Sequence, residues 1–147
     1  MRLGNHKNGF TLIEVLIAVI FVGLAIAALM AGNGVFTQAN AIASEMSTAE
    51  FLTEQVRERL TLLHFENLLA YNNITYNPPQ DAKGAPLPAF AAYSQKITIE
   101  YVENNNFTQV DTTPDSTNRF IRVTVKINLG TKELSSTSWV RAQIIQP

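Results

Sequence analysis

One carboxylate stands where a carboxylate is costly. Glu14 lies inside an apolar run that opens at Gly9-Phe10-Thr11-Leu12-Ile13 and continues through Met30 and Ala31. A charge in the middle of a membrane-spanning helix costs on the order of 2.5–3.5 kcal/mol on insertion scales, so such an acid is a functional candidate by default. The bland alternative is a tolerated side chain that snorkels toward the interface.

Other reactive side chains do not assemble into a constellation. The two histidines are His6 and His64, and His6 sits in the short segment before the run. His64 thus has no partner for a metal site or a triad, and a place at a helix end, where a cation suits the dipole, fits it better. Ser135, Ser136, Thr137 and Ser138 have no accompanying base and read as alternating polar residues of a strand. Asp111 and Asp115 offer oxygens but lack the spacing of a calcium loop, so a solvated loop is the better reading. Asn73-Ile74-Thr75 and Asn106-Phe107-Thr108 match glycosylation acceptors by pattern only. The absence of cysteine excludes disulfides, thiolate metal sites and cysteine nucleophiles. No enzyme, metal or cofactor is expected, and the eleven scattered basic residues form no stripe for nucleic acid.

The elements that must position Glu14 follow from pattern. The run of about twenty-two residues makes about 33 Å of helix, long enough to cross the hydrocarbon core of a bilayer. Arg2 and Lys7 precede it, and no lysine or arginine follows until Arg57. The positive-inside rule then places the N-terminus in the cytoplasm and the bulk of the chain outside. Ala31-Gly32-Asn33-Gly34 follows, with two glycines that each cost a helix about 1 kcal/mol relative to alanine. Two readings stand for Gly32 and Gly34: a weak point where the helix bends, or small residues for close helix packing.

From Thr37 to Leu69 the pattern turns amphipathic, with Ile42, Met46, Ala49, Thr53, Val56, Leu60 and Leu63 on one stripe. Residues 71–93 carry Pro78, Pro79, Gly84, Pro86 and Pro88, and read as a packed loop or as a loop hiding short elements. Then Ile97, Ile99 and Tyr101 alternate with polar residues, Asn104–Asn106 turn, and Phe107–Val110 forms a short return. Asp111 to Asn118 is a polar loop. Ile121, Val123, Val125, Ile127 and Leu129 give the clearest half-buried strand. After Gly130, residues 134–145 return with Ser136, Ser138, Val140, Ala142 and Ile144 on one face. The expected fold is α+β: a long N-terminal helix whose second half packs on an antiparallel sheet of three or four strands.

The basic leader, Gly9 before Phe10, Glu14 four residues after Phe10, and the apolar helix together resemble type IV prepilins and the pseudopilins of type II secretion. A weaker likeness joins Ala49-Glu50-Phe51-Leu52-Thr53-Glu54-Gln55-Val56-Arg57-Glu58-Arg59-Leu60 with His64-Phe65 to minor pilins of the V type and the pseudopilin called I. The resemblance implies that a prepilin peptidase cuts between Gly9 and Phe10 and that the new amine is methylated. It implies that this amine, with a reference pKa of about 7.7–8.0, pairs with Glu14 of a neighbouring subunit. Loss of Arg2 and Lys7 with the leader moves the formal charge from −1 to −3. Two departures from the family stand out: many pilins close a C-terminal loop with a disulfide, and many major pilins carry proline where Ala31 stands.

The implied organisation is leader 1–9, membrane and assembly segment 10–34, amphipathic helix 35–70, connector 71–93 and sheet 94–147. The implied function is a minor pilin or pseudopilin that primes or caps a filament. The implied partners are other such subunits, the peptidase, the inner-membrane assembly platform and the membrane itself. The alternatives are a major pilin, or an anchored periplasmic binding domain that does not polymerise.

Overall fold

The computed structural model describes residues 9–114 and 119–143. Arg2, His6, Lys7, Asp115 and Ile144 lie outside the described residues. The chain divides into two compact units, Met1–Ala43 and Ser44–Pro147. Helix α1 (Leu12–Thr61) supplies the described helix of the first unit and the opening helix of the second.

In the second unit α1 buries Ala49, Leu52, Thr53, Val56 and Leu60, a three-and-four spacing that keeps them on one face. Opposite them stand β2 (Tyr93–Glu103) and β4 (Phe120–Leu129). Both strands alternate, and their inward residues Ile97, Ile99, Ile121, Val123, Val125 and Ile127 complete the core. Burial of each such side chain contributes roughly 1.5–3 kcal/mol. The α+β arrangement read from the sequence is therefore the architecture: a long N-terminal helix over a small antiparallel sheet.

The sheet has five strands, with β1 (Ile74–Tyr76), β2, β4 and β5 (Lys132–Ala142) side by side and β3 (Asn106–Val110) hairpinned to the end of β2. The additional strand comes from the connector. Ile74 pairs with Ile97 and Tyr76 with Gln95, so residues 71–93 hide short elements and are packed as well. Two 3-10 turns, Leu69–Tyr71 and Pro88–Phe90, bracket the segment.

The periodicity predicts helix as far as Leu69, and α1 stops short of it. It ends at Thr61, and α2 (Phe65–Leu68) begins a new direction after His64 in extended conformation. The last carbonyls of a helix need donors. Arg141, reaching across from β5, donates one guanidinium nitrogen to the Leu60 carbonyl and another to that of Leu63. Arg141 therefore supplies the cation at the helix end for which His64 is the sequence candidate. The turn buries Leu68 and half-buries Leu63, Phe65 and Leu69 against the same core.

Of the expected stripe, Ala49, Thr53, Val56 and Leu60 are buried and Leu52 joins them. Met46 is 60% exposed, on the flank beside Leu134. On β5 the set Ser136, Ser138, Val140 and Ala142 does share a face, and it is the outer one. Thr137, Trp139 and Arg141 turn inward, with Trp139 under the Arg57 guanidinium at 5.4 Å.

Gln95 ties three layers together from a fully buried position. Its Oε1 accepts from Gln80 N–H at 2.8 Å, while Nε2 donates to the carbonyls of Leu52 at 3.0 Å and Gln80 at 3.1 Å. Arg59 fastens the same loop, lying over the rings of Tyr71 and Tyr76 at 5.2 and 5.3 Å and donating to Gln80 Oε1. Gly84, at φ +86°, passes so close that a Cβ there would stand 3.2 Å from Arg59 Nη2.

Replacing Gln95 with alanine strands the Gln80 N–H and leaves a cavity in a chain with no disulfide to hold it. A loss of about 2–4 kcal/mol is expected, read as a lowered melting temperature of the full chain in detergent. A variant that melts with wild type would show that the connector is held without Gln95.

Candidate functional site

The first unit presents an unusual surface. From Leu12 to Phe36 the large apolar side chains of α1 are exposed on every side of the helix, Leu12 to 87%, and Phe10 just before it is exposed to 81%. In water such a surface is unfavourable, and α1 is the one described helix long and apolar enough to cross a membrane. The strongly apolar stretch belongs to residues of the first unit; beyond it Glu45, Glu50 and Glu54 begin the polar flank of the second.

The helix start is built locally. Thr11 precedes α1, and its carbonyl accepts from Glu14 N–H at 3.1 Å and from Val15 N–H at 3.2 Å. Its hydroxyl Oγ1 also accepts from Glu14 N–H, at 3.3 Å. Thr11 is thus the N-cap, and Glu14 occupies the third helical position, where an acid suits the positive end of the helix dipole. The sequence signal was available in Thr11-Leu12-Ile13-Glu14, which has the spacing of a capping box. Among the described residues the Glu14 carboxylate has no hydrogen-bond or ion-pair partner, so it is available to a group from elsewhere.

Position on the helix gives that carboxylate its setting. With Phe10, Val15, Ala18, Val19 and Val22 it lines a shallow groove on one side of α1, apolar except for Glu14 itself. Phe10 and Glu14, singled out together from the sequence, are therefore brought together at the helix start. Gly9 and Phe10 both precede the helix and are exposed, so the peptide between them is not tied into a helical hydrogen-bond ladder.

Gly32 and Gly34 lie elsewhere, about five turns along. The helix is unbroken through both, and among the described residues no atom beyond the chain neighbours and the helix's own backbone lies within 4 Å of where a Cβ would stand on either. Close packing within the chain therefore does not require them to be glycine. Just beyond, the Thr37 hydroxyl donates to the Asn33 carbonyl at 2.9 Å, a back-bond that bends helices slightly.

Among the described residues no three metal-binding side chains converge. His64 and the serines of β5 stand apart: His64 is exposed after α1, and Ser138 bonds across the sheet to Thr124 at 2.9 Å. Asp111 Oδ1 accepts from Thr113 N–H at 2.9 Å, as in an Asx turn. Comparison of the chain with protein-family models, with curated proteins and with solved structures returns no match.

Because both glycines have open surroundings, Gly32→Ala together with Gly34→Ala should raise helix stability by about 1 kcal/mol per site. Circular dichroism at 222 nm during thermal melting of the micelle-bound chain reads the gain. A fall in helicity would mean that the glycines serve a geometry this helix does not show.

Proposed function

We propose that the chain is a subunit of a type IV pilus-like filament, of the minor pilin or minor pseudopilin kind. The observation that carries this reading is a helical stretch, residues 12–36, that is apolar on all sides and bears a single carboxylate, Glu14, near its start, without a partner among the described residues. A membrane satisfies the apolar surface. It does not satisfy Glu14, which a simple anchor has no use for. A filament core built from many such helices satisfies both, since helix packs on helix and each acid can meet a cation.

The cation comes from processing. A prepilin peptidase hydrolyses the Gly9–Phe10 peptide on the cytoplasmic side, and the departing leader takes Arg2 and Lys7 with it. The new α-amino group of Phe10, then methylated, lies one helical turn from Glu14. Between neighbouring subunits, amine and carboxylate neutralise each other and set the register of one helix against the next. The desolvation that makes either charge costly alone makes the pair specific. The α+β unit stays outside the inner membrane and is displayed along or at the end of the filament, where this chain primes or caps assembly. Two sequence features favour a minor subunit: the wording of residues 49–65, and Ala31 where many major pilins have proline. The competing reading is a periplasmic binding domain on a single-span anchor.

Intact-mass measurement on chain extracted from membranes that hold a prepilin peptidase should show a start at Phe10 and one added methyl group. Gly9→Val should leave the precursor uncut. Glu14→Ala and Glu14→Gln should insert into membranes at least as well as wild type. Both should fall about tenfold or more in sheared filaments, the equivalent of about 1.4 kcal/mol or more of lost pairing. Equal incorporation of the Glu14→Ala chain would support the simple anchor instead. A filament composed mostly of this chain would make it a major subunit.

A further inference from the structure

The two edges of the sheet are finished differently. At the β2 edge three devices occupy the backbone. β1 pairs with residues 95–97, the Asn72 side-chain oxygen accepts from Ile99 N–H at 2.9 Å, and Asp111 N–H donates to the Tyr101 carbonyl at 2.9 Å.

At the other edge lies β5, and its register fixes which groups are free. Gln143 N–H donates to the Arg119 carbonyl at 2.7 Å, one step beyond the Phe120–Ala142 pair. Opposed residues in an antiparallel ladder alternate between pairs that exchange hydrogen bonds and pairs that do not. Ser135, Thr137, Trp139 and Arg141 therefore turn their backbone groups toward β4. Ser136, Ser138, Val140 and Ala142 turn theirs toward the open side, where no described strand lies.

Natural edges are usually blunted by charge, proline or bulges. β5 has one irregularity, opposite Ile127 and Asn128, which leaves the ladder regular from Ser135 onward. Leu134-Ser135-Ser136-Thr137-Ser138-Trp139-Val140 contains neither charge nor proline. The charge that follows, Arg141, is spent on the helix carbonyls. Beside this edge a groove runs between α1 and β5, with Met46 and Leu134 as its apolar lining and Glu50, Glu54 and Arg57 around them. Arg57 is paired with Glu54 at 3.2 Å, whereas Glu50 has no ion-pair partner among the described residues.

We propose that β5 is a strand-addition site for an extended segment of another protein. Main-chain bonds to Ser136, Ser138, Val140 and Ala142 would supply affinity. Alternate side chains of the segment would face the groove, apolar ones against Met46 and Leu134 and a lysine or arginine against Glu50. A second copy of this chain is the poorer occupant, because pairing β5 with β5 sets two acidic grooves side by side. The inference concerns the second unit alone and does not rest on the filament reading.

The test uses the full chain in detergent micelles and a nine-residue peptide alternating valine with threonine, its central valine replaced by lysine. Amide hydrogen exchange is followed residue by residue. Ser136, Ser138 and Val140 should slow by about tenfold or more at saturation, while Thr137 and Trp139, already bonded to β4, should not change. Ser138→Pro removes an N–H that faces the open side and should abolish the protection. Glu50→Lys, an exposed substitution that leaves the core intact, should weaken the lysine peptide and favour a counterpart carrying glutamate. Unchanged exchange at the three amides overturns the proposal, as does equal binding of the two peptides to the wild-type chain. Protection that grows with protein concentration without peptide also overturns it, assigning the edge to a second copy.

Discussion

The burial of one helix face on one sheet face is the contact from which the second unit follows. Leu52, Val56 and Leu60 lie against Ile97, Ile99, Ile121, Val123, Val125 and Ile127. With no cysteine in the chain, no covalent cross-link shares this task. Helix and strands bring two periodicities, 3.6 and 2, and the contact exists only where both present an apolar face at once. That condition fixes the strand alternation and the side of α1 that turns inward.

Polar groups then decide how the remaining chain is laid over that core. The connector is rich in proline and cannot close into a regular element, so its backbone must find partners elsewhere. Gln95 and Gln55 provide them, the latter accepting from Ala82 N–H at 3.0 Å, while Asp81 Oδ1 accepts from Lys83 and Ala85 within the loop. Phe51, on the outer side of α1, meets Phe90 at 5.7 Å, and Phe90 meets Tyr93 at 6.3 Å. A segment that looks structureless by composition is thus held by hydrogen bonds, tilted and edge-on ring contacts and two cation–π contacts. Buried polar groups such as Gln95 are tolerable because each donor and acceptor is used.

The first unit presents a different surface. Its helix has no apolar stripe because every side is apolar, the pattern of a helix surrounded by lipid or by other helices. Thr11 caps it, and Glu14 is the one exception to its apolar surface over the span. Along α1 the composition thus changes from apolar on every side to amphipathic. Thr-hydroxyl back-bonds recur in both units, at Thr37, Thr48, Thr53 and Thr61, each satisfying a hydroxyl without an external partner.

What the sequence determined by itself is what local periodicity carries: the apolar span with Glu14 in it, the buried stripe from Ala49 to Leu60, and the alternation of β2 and β4. Those signals are legible because each element's own residues suffice to state which face is apolar. The Thr11–Glu14 cap was equally local, and its spacing could have been read. Tertiary structure alone decided the rest. Ile74–Tyr76 is too short to announce itself, and becomes a strand because β2 has an open edge beside it. The helix ends at Thr61, and Arg141, eighty residues on in the chain, is what satisfies its Leu60 carbonyl. On β5 both faces mix serine or threonine with a large apolar residue, so alternation cannot say which is inward. Register on β4 settles it, since a slip of one residue would exchange Trp139 for Val140.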